Sequence, residues 1–204
     1  IQLGHAGRKA SANRPWEGDD HMAEDDPRSW QPLSASAIAL GGGLPRVPRA
    51  MTLDDIIKVK ADHVAAAIRA RDVGFEWLEL HFAHGYLAMG FLSKHSNQRT
   101  DECGGSFENR TRFMLETLTA VREVWPQHLP LAVRLGVIEY DGQDEEHLLE
   151  SIELAKQLKA IGVDLLDVSM GFSTATPDVP WGTPAFLAPI AQRSEERRVG
   201  KEGP

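Results

Sequence analysis

Helix-like and strand-like segments alternate along this sequence, and that alternation is the strongest constraint on its fold. Three short apolar runs follow segments with helical spacing: residues 77–81, 131–135 and 163–168. A fourth strand-like run, residues 1–3, opens the chain. Nearly continuous apolar strands that alternate with helices indicate a parallel sheet covered by helices. The sequence therefore predicts an α/β fold.

Signals at the ends of the helix-like segments support this alternation. Thr52 and Asp55 match a capping box, with Asp in place of the usual Glu. Ser106 can cap a second helix. A third helix is expected to begin at Asp144 and to end just before Gly162, because glycine commonly follows the last helical turn.

Two architectures share this pattern, the doubly wound sheet and the closed barrel. No Gly-x-Gly-x-x-Gly run follows a strand, and residues 41–43 lack the strand-to-helix context of a phosphate loop. Polar residues instead gather where strands end, namely His5, Arg8, His81, His84, Arg134 and Ser169. Barrels build their active sites there and need about 250 residues. We expect a (β/α)8 TIM barrel, of which roughly the middle half is present.

The two ends of the chain predict that the barrel is incomplete. Residue 1 is Ile within a strand-like run, which predicts further strands upstream. Seven of the ten residues from Arg193 to Glu202 are charged, and apolar periodicity stops there. We therefore divide the chain into a partial barrel, residues 1–192, and a charged tail, residues 193–204. The tail is either a solvated segment or a translated sequencing adapter, and we favour the adapter.

Composition excludes several classes of function. Hydrophobic residues make up 42% and charged residues 25% of the 204 residues, which is typical of a soluble globular protein. A net charge of −8 disfavours nucleic acid as a partner, and the short, charge-interrupted apolar runs disfavour a membrane span. The single Cys103 and the lack of a secretory signal predict a cytoplasmic protein.

Three polar side chains surround one predicted strand end: His81, His84 and Tyr86. The two imidazoles can donate hydrogen bonds to one carbonyl or phenolate oxygen, and the phenol can donate a proton. Two alternatives stay open, structural histidines beside a packed tyrosine and a zinc site. Because no Asp, Glu or Cys occupies an obvious third-ligand position, we expect no metal there.

Seven runs along the chain are long enough to compare with known families: residues 1–10, 81–87, 91–93, 97–102, 104–110, 168–173 and 180–182. In these runs the chain resembles the Old Yellow Enzyme family. The opening His-Ala-Gly-Arg-Lys is similar to its thermophilic-like branch, which includes the xenobiotic reductases. The resemblance extends over most of residues 1–192.

The resemblance implies a flavin-binding barrel that uses FMN and NADPH or NADH. Such enzymes are ene-reductases that reduce activated carbon–carbon double bonds of small enone- or quinone-type molecules. By motif, Gln2 matches a glutamine that hydrogen-bonds the flavin pyrimidine ring, and Arg134 matches an arginine near flavin N1 and O2. A guanidinium there would stabilise the negative charge of the reduced flavin. Alternative roles for Arg134 are a salt bridge to a neighbouring strand end and a substrate clamp.

The same resemblance assigns the remaining site residues. His81 and His84 match the pair that binds the substrate carbonyl, and Tyr86 matches the proposed proton donor. It also implies a homo-oligomer, and it assigns a structural role to residues 97–110. Two other functions stay open: a flavin barrel related to dienoyl-CoA reductases or amine dehydrogenases, and a non-catalytic fragment that is unable to hold flavin.

Overall fold

A parallel sheet of four strands organises the chain in this computed structural model, which describes residues 1–180. Its strands are β1 (Gln2–Leu3), β4 (Leu78–Phe82), β5 (Leu131–Ile138) and β6 (Leu165–Met170), adjacent in that order. All four predicted strands are present, and β5 and β6 extend beyond their predicted ends. The expected boundary at residue 192 and the tail 193–204 lie outside the described residues.

Four helices and a second, smaller sheet complete the described fold. The long helices are α1 (Leu53–Asp72), α3 (Phe107–Val124) and α4 (Asp144–Ile161), and the short helix is α2 (Leu87–Leu92). The strands β2 (Leu33–Ser34) and β3 (Arg49–Ala50) pair in parallel, which the sequence patterns did not indicate. Across residues 1–180, the helices lack the length and apolar content needed to cross a bilayer.

The strand order agrees with the barrel that the sequence predicts. Strands β1, β4, β5 and β6 are all parallel and follow one another without a reversal of direction across the sheet. Successive strands of a barrel are neighbours in this way, and so are the strands in one half of a doubly wound sheet. The described sheet therefore has the order of a barrel segment and shows no switch point among its four strands.

The helix ends form as the sequence predicts. At the start of α1, the Asp55 amide donates to Thr52 Oγ1 over 3.1 Å, and the Thr52 amide donates to Asp55 Oδ2 over 2.8 Å. At the start of α3, Ser106 Oγ accepts from the Asn109 amide over 3.3 Å. Helix α4 ends at Ile161, and the capping Gly162 that follows has a left-handed φ of 105°, which suits glycine.

The sheet has one apolar face and one polar face. The first is packed against the helices through Leu78, Leu80, Phe82, Leu131, Val133 and Leu135, all buried in one core cluster. Because side chains alternate along a strand, the residues between them point to the other face. That face carries the polar residues of β4 and β5, including His81 and Arg134, which are opposite one another in the register.

Residues 97–110 form contacts of the structural kind that was expected. Arg99 forms an ion pair with Asp101 at 2.5 Å and also donates to the Ala35 and Met51 carbonyls. The buried Asn97 amide donates to the carbonyls of Phe91 and Cys103. These bonds attach the segment to the two-stranded sheet and to the end of α2.

Replacing Thr52 with Ala should destabilise the protein by about 1 kcal/mol, because the Asp55 amide at the start of α1 loses its acceptor. Thr52→Ser keeps a hydroxyl at the same position and should retain most of that stability. Urea unfolding at constant m-value measures both variants. Equal unfolding midpoints for the Ala variant and the parent would contradict the assigned cap.

Candidate active site

The rings of His81, His84 and Tyr86 cluster at the carboxyl end of β4. The centroid of the His81 ring is 4.9 Å from that of His84 and 4.9 Å from that of Tyr86, with edge-to-face geometry in both pairs. The His84 and Tyr86 centroids are 6.2 Å apart. The structure thus brings together the three side chains that the sequence placed at one strand end.

A tight turn after β4 creates this cluster. His84 has a φ of 59° and Gly85 a φ of 63°, so two consecutive residues adopt the left-handed conformation. A Cβ atom at residue 85 would lie only 2.3 Å from the Phe172 carbonyl oxygen, which makes glycine necessary there. The His84 amide donates to the Met170 carbonyl, which fixes the turn against the end of β6.

His81 is held as a neutral hydrogen-bond donor. The Ala83 amide donates to His81 Nδ1 over 3.2 Å, so the ring proton of a neutral imidazole must be on Nε2. Burial, followed by the nearby His84 and Arg134 charges, lowers the pKa of His81 to about 4. At neutral pH the side chain therefore offers Nε2–H without a positive charge.

His84 is positioned by a hydroxyl of the neighbouring strand. Its Nε2 lies 2.7 Å from Ser169 Oγ on β6. When the hydroxyl donates to Nε2, the ring proton is on Nδ1, and His84 then has an N–H donor of its own. Burial, followed by the cations of Arg134 and Lys9, lowers the pKa of His84, so it too favours the neutral form.

Lys9 also belongs to the site. The sequence shows it within the run His-Ala-Gly-Arg-Lys, but no role was predicted for it. Its ammonium donates to the His84 carbonyl over 2.7 Å and to the Phe172 carbonyl over 2.9 Å. The same Nζ lies 5.9 Å from the centroid of the Tyr86 ring. Burial, followed by the charge of Arg8, lowers the pKa of Lys9 to about 8. The available signal was its place in the basic run that follows β1.

Arg134 lies directly opposite His81 in the sheet register and opposite Asp167 on the other side. Its Nε is 3.2 Å from Asp167 Oδ2, so the salt bridge to a neighbouring strand is present. Nevertheless this buried Nε has no hydrogen-bond partner within residues 1–180. A buried donor of this kind fits an acceptor such as a flavin pyrimidine atom.

Gln2 lies on the same face of the sheet, opposite Glu79. Its Nε2 donates to Glu79 Oε2 over 2.5 Å. An amide side chain has a second N–H and a carbonyl oxygen, so this bond leaves Gln2 able to contact a ligand. Glu79 and Asp167 are acidic residues on this polar face that the sequence analysis did not single out.

Two polar residues that were expected among the strand-end groups do not join the cluster. His5 Nδ1 accepts from the Gly7 amide, and the side chain lines a cavity with Val59 and Asp62 of α1. Arg8 is buried and donates to the carbonyls of Ile38, Ala39 and Ser173. Both residues follow the end of β1 as predicted, but His5 faces α1 and Arg8 connects loops.

In the part of the chain that the structure describes, His81 and His84 have no third side chain that would complete a zinc site. The group of three side chains that could hold a metal ion there is His95, Asp141 and His147, on other segments. The charged neighbours of His84 are the cations Arg134 and Lys9 and the anion Asp167, of which the cations have the larger effect on its pKa. An excess of positive charge disfavours a metal ion and favours an electron-rich oxygen.

Curated relatives of the chain are flavin and nicotinamide oxidoreductases by name. An NADH:flavin oxidoreductase of Gibberella zeae is 46% identical over 182 residues, which cover 84% of this chain and 44% of that protein. An NADPH dehydrogenase of Bacillus velezensis is 42% identical over 171 residues, which cover 84% of this chain and 45% of that protein. The chain thus spans about half the length of the curated relatives it matches.

Morphinone reductase is one of the solved structures with the same fold, with a TM-score of 0.69 and 30% identity. The match covers 94% of this chain and 52% of morphinone reductase. A 2-naphthoyl-CoA reductase gives a TM-score of 0.72 at 28% identity, with coverage of 85% of this chain and 26% of that one. These neighbours confirm the expected TIM-barrel class, of which this chain has a part.

A family model extends this similarity over almost the whole sequence. It describes the NADH:flavin oxidoreductase / NADH oxidase family, and it matches residues 1–199. The match includes the strand-end cluster, the polar sheet face and the basic run after β1. The chain therefore belongs to the NADH:flavin oxidoreductase / NADH oxidase family, which is the Old Yellow Enzyme family that its motifs resemble.

Proposed function

We propose that the whole protein is an FMN-dependent NAD(P)H oxidoreductase that reduces the activated carbon–carbon double bond of enone- or quinone-type molecules. One observation carries this proposal: two imidazoles that favour the neutral form and a phenol converge on one small volume, with ring centroids 4.9 to 6.2 Å apart. That arrangement suits a substrate oxygen that gains negative charge during the reaction and a carbon that gains a proton.

FMN, once bound and reduced by NAD(P)H, would supply the hydride that this chemistry needs. Arg134 and Gln2 are the residues of this chain that would hold it. Two observations support these roles: the buried Nε of Arg134 is ion-paired with Asp167 but makes no hydrogen bond within residues 1–180, and both residues lie on the polar face of the sheet. The permanent charge of a guanidinium would favour the reduced, more negative cofactor.

The two histidines would bind and polarise the substrate carbonyl. His81 donates from Nε2, because its Nδ1 already accepts from the Ala83 amide. His84 donates from Nδ1 when Ser169 donates to its Nε2. Both bonds would strengthen as charge develops on the oxygen, so they would lower the barrier more than they tighten binding.

Tyr86 would protonate the carbon next to the carbonyl. It is the N-cap residue of α2, so its backbone is fixed at the end of the tight turn. Lys9 supports this role, because its ammonium lies 5.9 Å from the ring centroid and would stabilise a developing phenolate. Lys9 itself is a positioning residue, held by two backbone carbonyls.

The second candidate, a flavin barrel of the dienoyl-CoA reductase or amine dehydrogenase type, is favoured by two of the structural similarities. They are the 2-naphthoyl-CoA reductase, at 28% identity, and a histamine dehydrogenase from Rhizobium, at 29%. The NADPH dehydrogenases are closer in sequence, at 37 to 42% identity. We therefore favour the ene-reductase.

Flavin absorbance of the purified whole protein tests the proposed function. We expect flavin bands that bleach with NADPH and return when an enone is added without oxygen. Return of the bands only with an aromatic acyl-CoA, or bleaching by an amine rather than by NADPH, would support the second candidate instead. A protein without flavin bands after reconstitution with FMN would exclude both.

Replacing His84 with Ala should slow enone reduction by about 10²- to 10³-fold, because one of two donors to the substrate oxygen is lost. The same variant should lose the long-wavelength charge-transfer band with para-substituted phenols. His84→Asn supplies a donor of similar reach and should keep much of both properties. Flavin content should be unchanged in each variant, and phenol binding that survives in His84→Ala would contradict the assignment.

Replacing Tyr86 with Phe should leave flavin reduction by NADPH nearly normal and slow oxidation by an enone by about 10²- to 10⁴-fold, because a general acid is lost. Quinone acceptors should be less affected, since they depend less on a proton directed to carbon. Stopped-flow measurements separate the two half-reactions. An equal loss in both would show that Tyr86 is not the proton donor.

Because His81 is neutral in the folded protein, the free energy of unfolding should fall as the pH falls. Its pKa is about 4 in the folded protein and about 6.5 in an unfolded chain, so the unfolded state binds more protons between these values. The stabilisation is complete above about pH 6.5 and is lost as the pH falls towards 4. In the His81→Asn variant, the free energy of unfolding should fall less over that pH range, as measured by chemical unfolding. Parallel pH curves for the two proteins would contradict a neutral His81.

A further inference from the structure

Three side chains outside the catalytic cluster converge on one point: His95 from the loop after α2, Asp141 from the turn after β5, and His147 from the first turns of α4. We propose that they form a binding site for a divalent metal ion of the zinc type. Neither the family similarity nor the proposed oxidoreductase chemistry requires this site.

The geometry brings two nitrogen ligands to one carboxylate. His95 Nε2 lies 2.6 Å and His147 Nε2 lies 2.8 Å from the same Oδ2 of Asp141. All three ligand atoms lie within 4.8 Å of one another. A tetrahedral ion with bonds of about 2.0 to 2.2 Å separates its ligands by slightly more than these contacts, so a small opening of the cluster admits it.

The kind of donor selects the kind of metal. Two imidazole nitrogens and one carboxylate oxygen are a set that Zn²⁺ uses, with water as the fourth ligand. Mg²⁺ and Ca²⁺ prefer sites made of oxygen alone. The cluster should therefore discriminate strongly in favour of Zn²⁺, Co²⁺ or Ni²⁺ over Mg²⁺ and Ca²⁺.

The three side chains are preorganised by the fold, and solvent still has access to the cluster. The side chain of Asp141 is only 5% exposed and that of His147 12%, whereas that of His95 is 35% exposed and leaves a path for an ion and a water ligand. The Gln143 amide donates to Asp141 Oδ1, which orients the other oxygen towards the imidazoles. Metal sites commonly hold a ligating carboxylate in place by a hydrogen bond of this kind.

The charges around the cluster suit a cation. Asp141 accepts hydrogen bonds through both of its carboxylate oxygens, as an ionised carboxylate does. The nearby ammonium of Lys94 is engaged by Glu146 and Glu150, so its positive charge is compensated. An incoming ion therefore meets an anionic oxygen.

Metal binding needs no reactant other than the ion and water. In the metal-free cluster each neutral imidazole can donate Nε2–H to Asp141. On binding, each ring moves its proton to Nδ1 through solvent, and both Nε2 lone pairs and one carboxylate oxygen replace three water ligands of the ion. Acid should weaken binding, because a proton competes for the same lone pairs.

A bound ion would connect three segments that now contact one another through hydrogen bonds. The loop that carries His95 follows α2, and α2 begins directly after Tyr86. Asp141 lies in the connection between β5 and α4, and His147 lies in the first turn of α4. Metal binding should therefore stabilise the loops that follow two adjacent strands.

The experiment is a Zn²⁺ titration by calorimetry of the flavin-loaded whole protein after treatment with a chelator. We expect one Zn²⁺ per chain, with no comparable heat from Mg²⁺, and a higher unfolding temperature with Zn²⁺. His95→Ala and Asp141→Asn should each weaken Zn²⁺ binding by at least about 100-fold. His128→Ala, which removes an exposed histidine on another loop, should leave binding unchanged.

Two results would overturn the proposal. One is Zn²⁺ binding that is the same in the parent, His95→Ala and Asp141→Asn proteins, which would locate the ion elsewhere. The other is the absence of Zn²⁺ binding in a folded parent protein, which would leave the cluster as a hydrogen-bonded link. Because His95 is the most exposed of the three side chains, its replacement should preserve folding, and the bound flavin confirms this in each sample.

Discussion

The alternation of side chains along parallel strands is the constraint on which the rest of this structure depends. In β4 and β5, one set of alternate residues is apolar and packs under the helices, while the other set faces away from them. The parallel register then aligns His81, Arg134 and Asp167 in a row across three strands. A shift of one residue in either pairing would exchange the two faces and disperse the site.

The turn after β4 adds what the sheet alone cannot provide. A strand presents a side chain only at every second position, yet His81 and His84 must both reach the same volume. Two successive left-handed residues, His84 and Gly85, reverse the chain and bring the second imidazole back over the first. The close approach of Gly85 to the Phe172 carbonyl ties this turn to the segment after β6. The geometry of the candidate site therefore depends on contacts between neighbouring βα loops.

Local sequence signals were sufficient to predict the long helices and the strands of the four-stranded sheet. The features that they did not predict depend on contacts between residues far apart in the sequence. The cap at Thr52 and the stop at Gly162 depend on a few adjacent residues, so the sequence was sufficient there. The outward direction of His5 depends on how α1 packs against β1, which no local pattern contains. The role of Lys9 was not predicted for the same reason, because the carbonyls that it contacts are more than seventy residues away in the sequence.

Two pairs of histidines show how surroundings determine the chemistry of one residue type. Burial, followed by nearby positive charges that include Arg134, lowers the pKa of His81 and His84 and outweighs the opposing charge of Asp167. Neutral imidazoles in such surroundings suit an oxygen that is becoming negative. His95 and His147 face the carboxylate of Asp141, which attracts cations and rejects a developing oxyanion. The charge of the surroundings therefore distinguishes the proposed oxyanion-binding pair from the proposed metal-binding pair within one α/β framework.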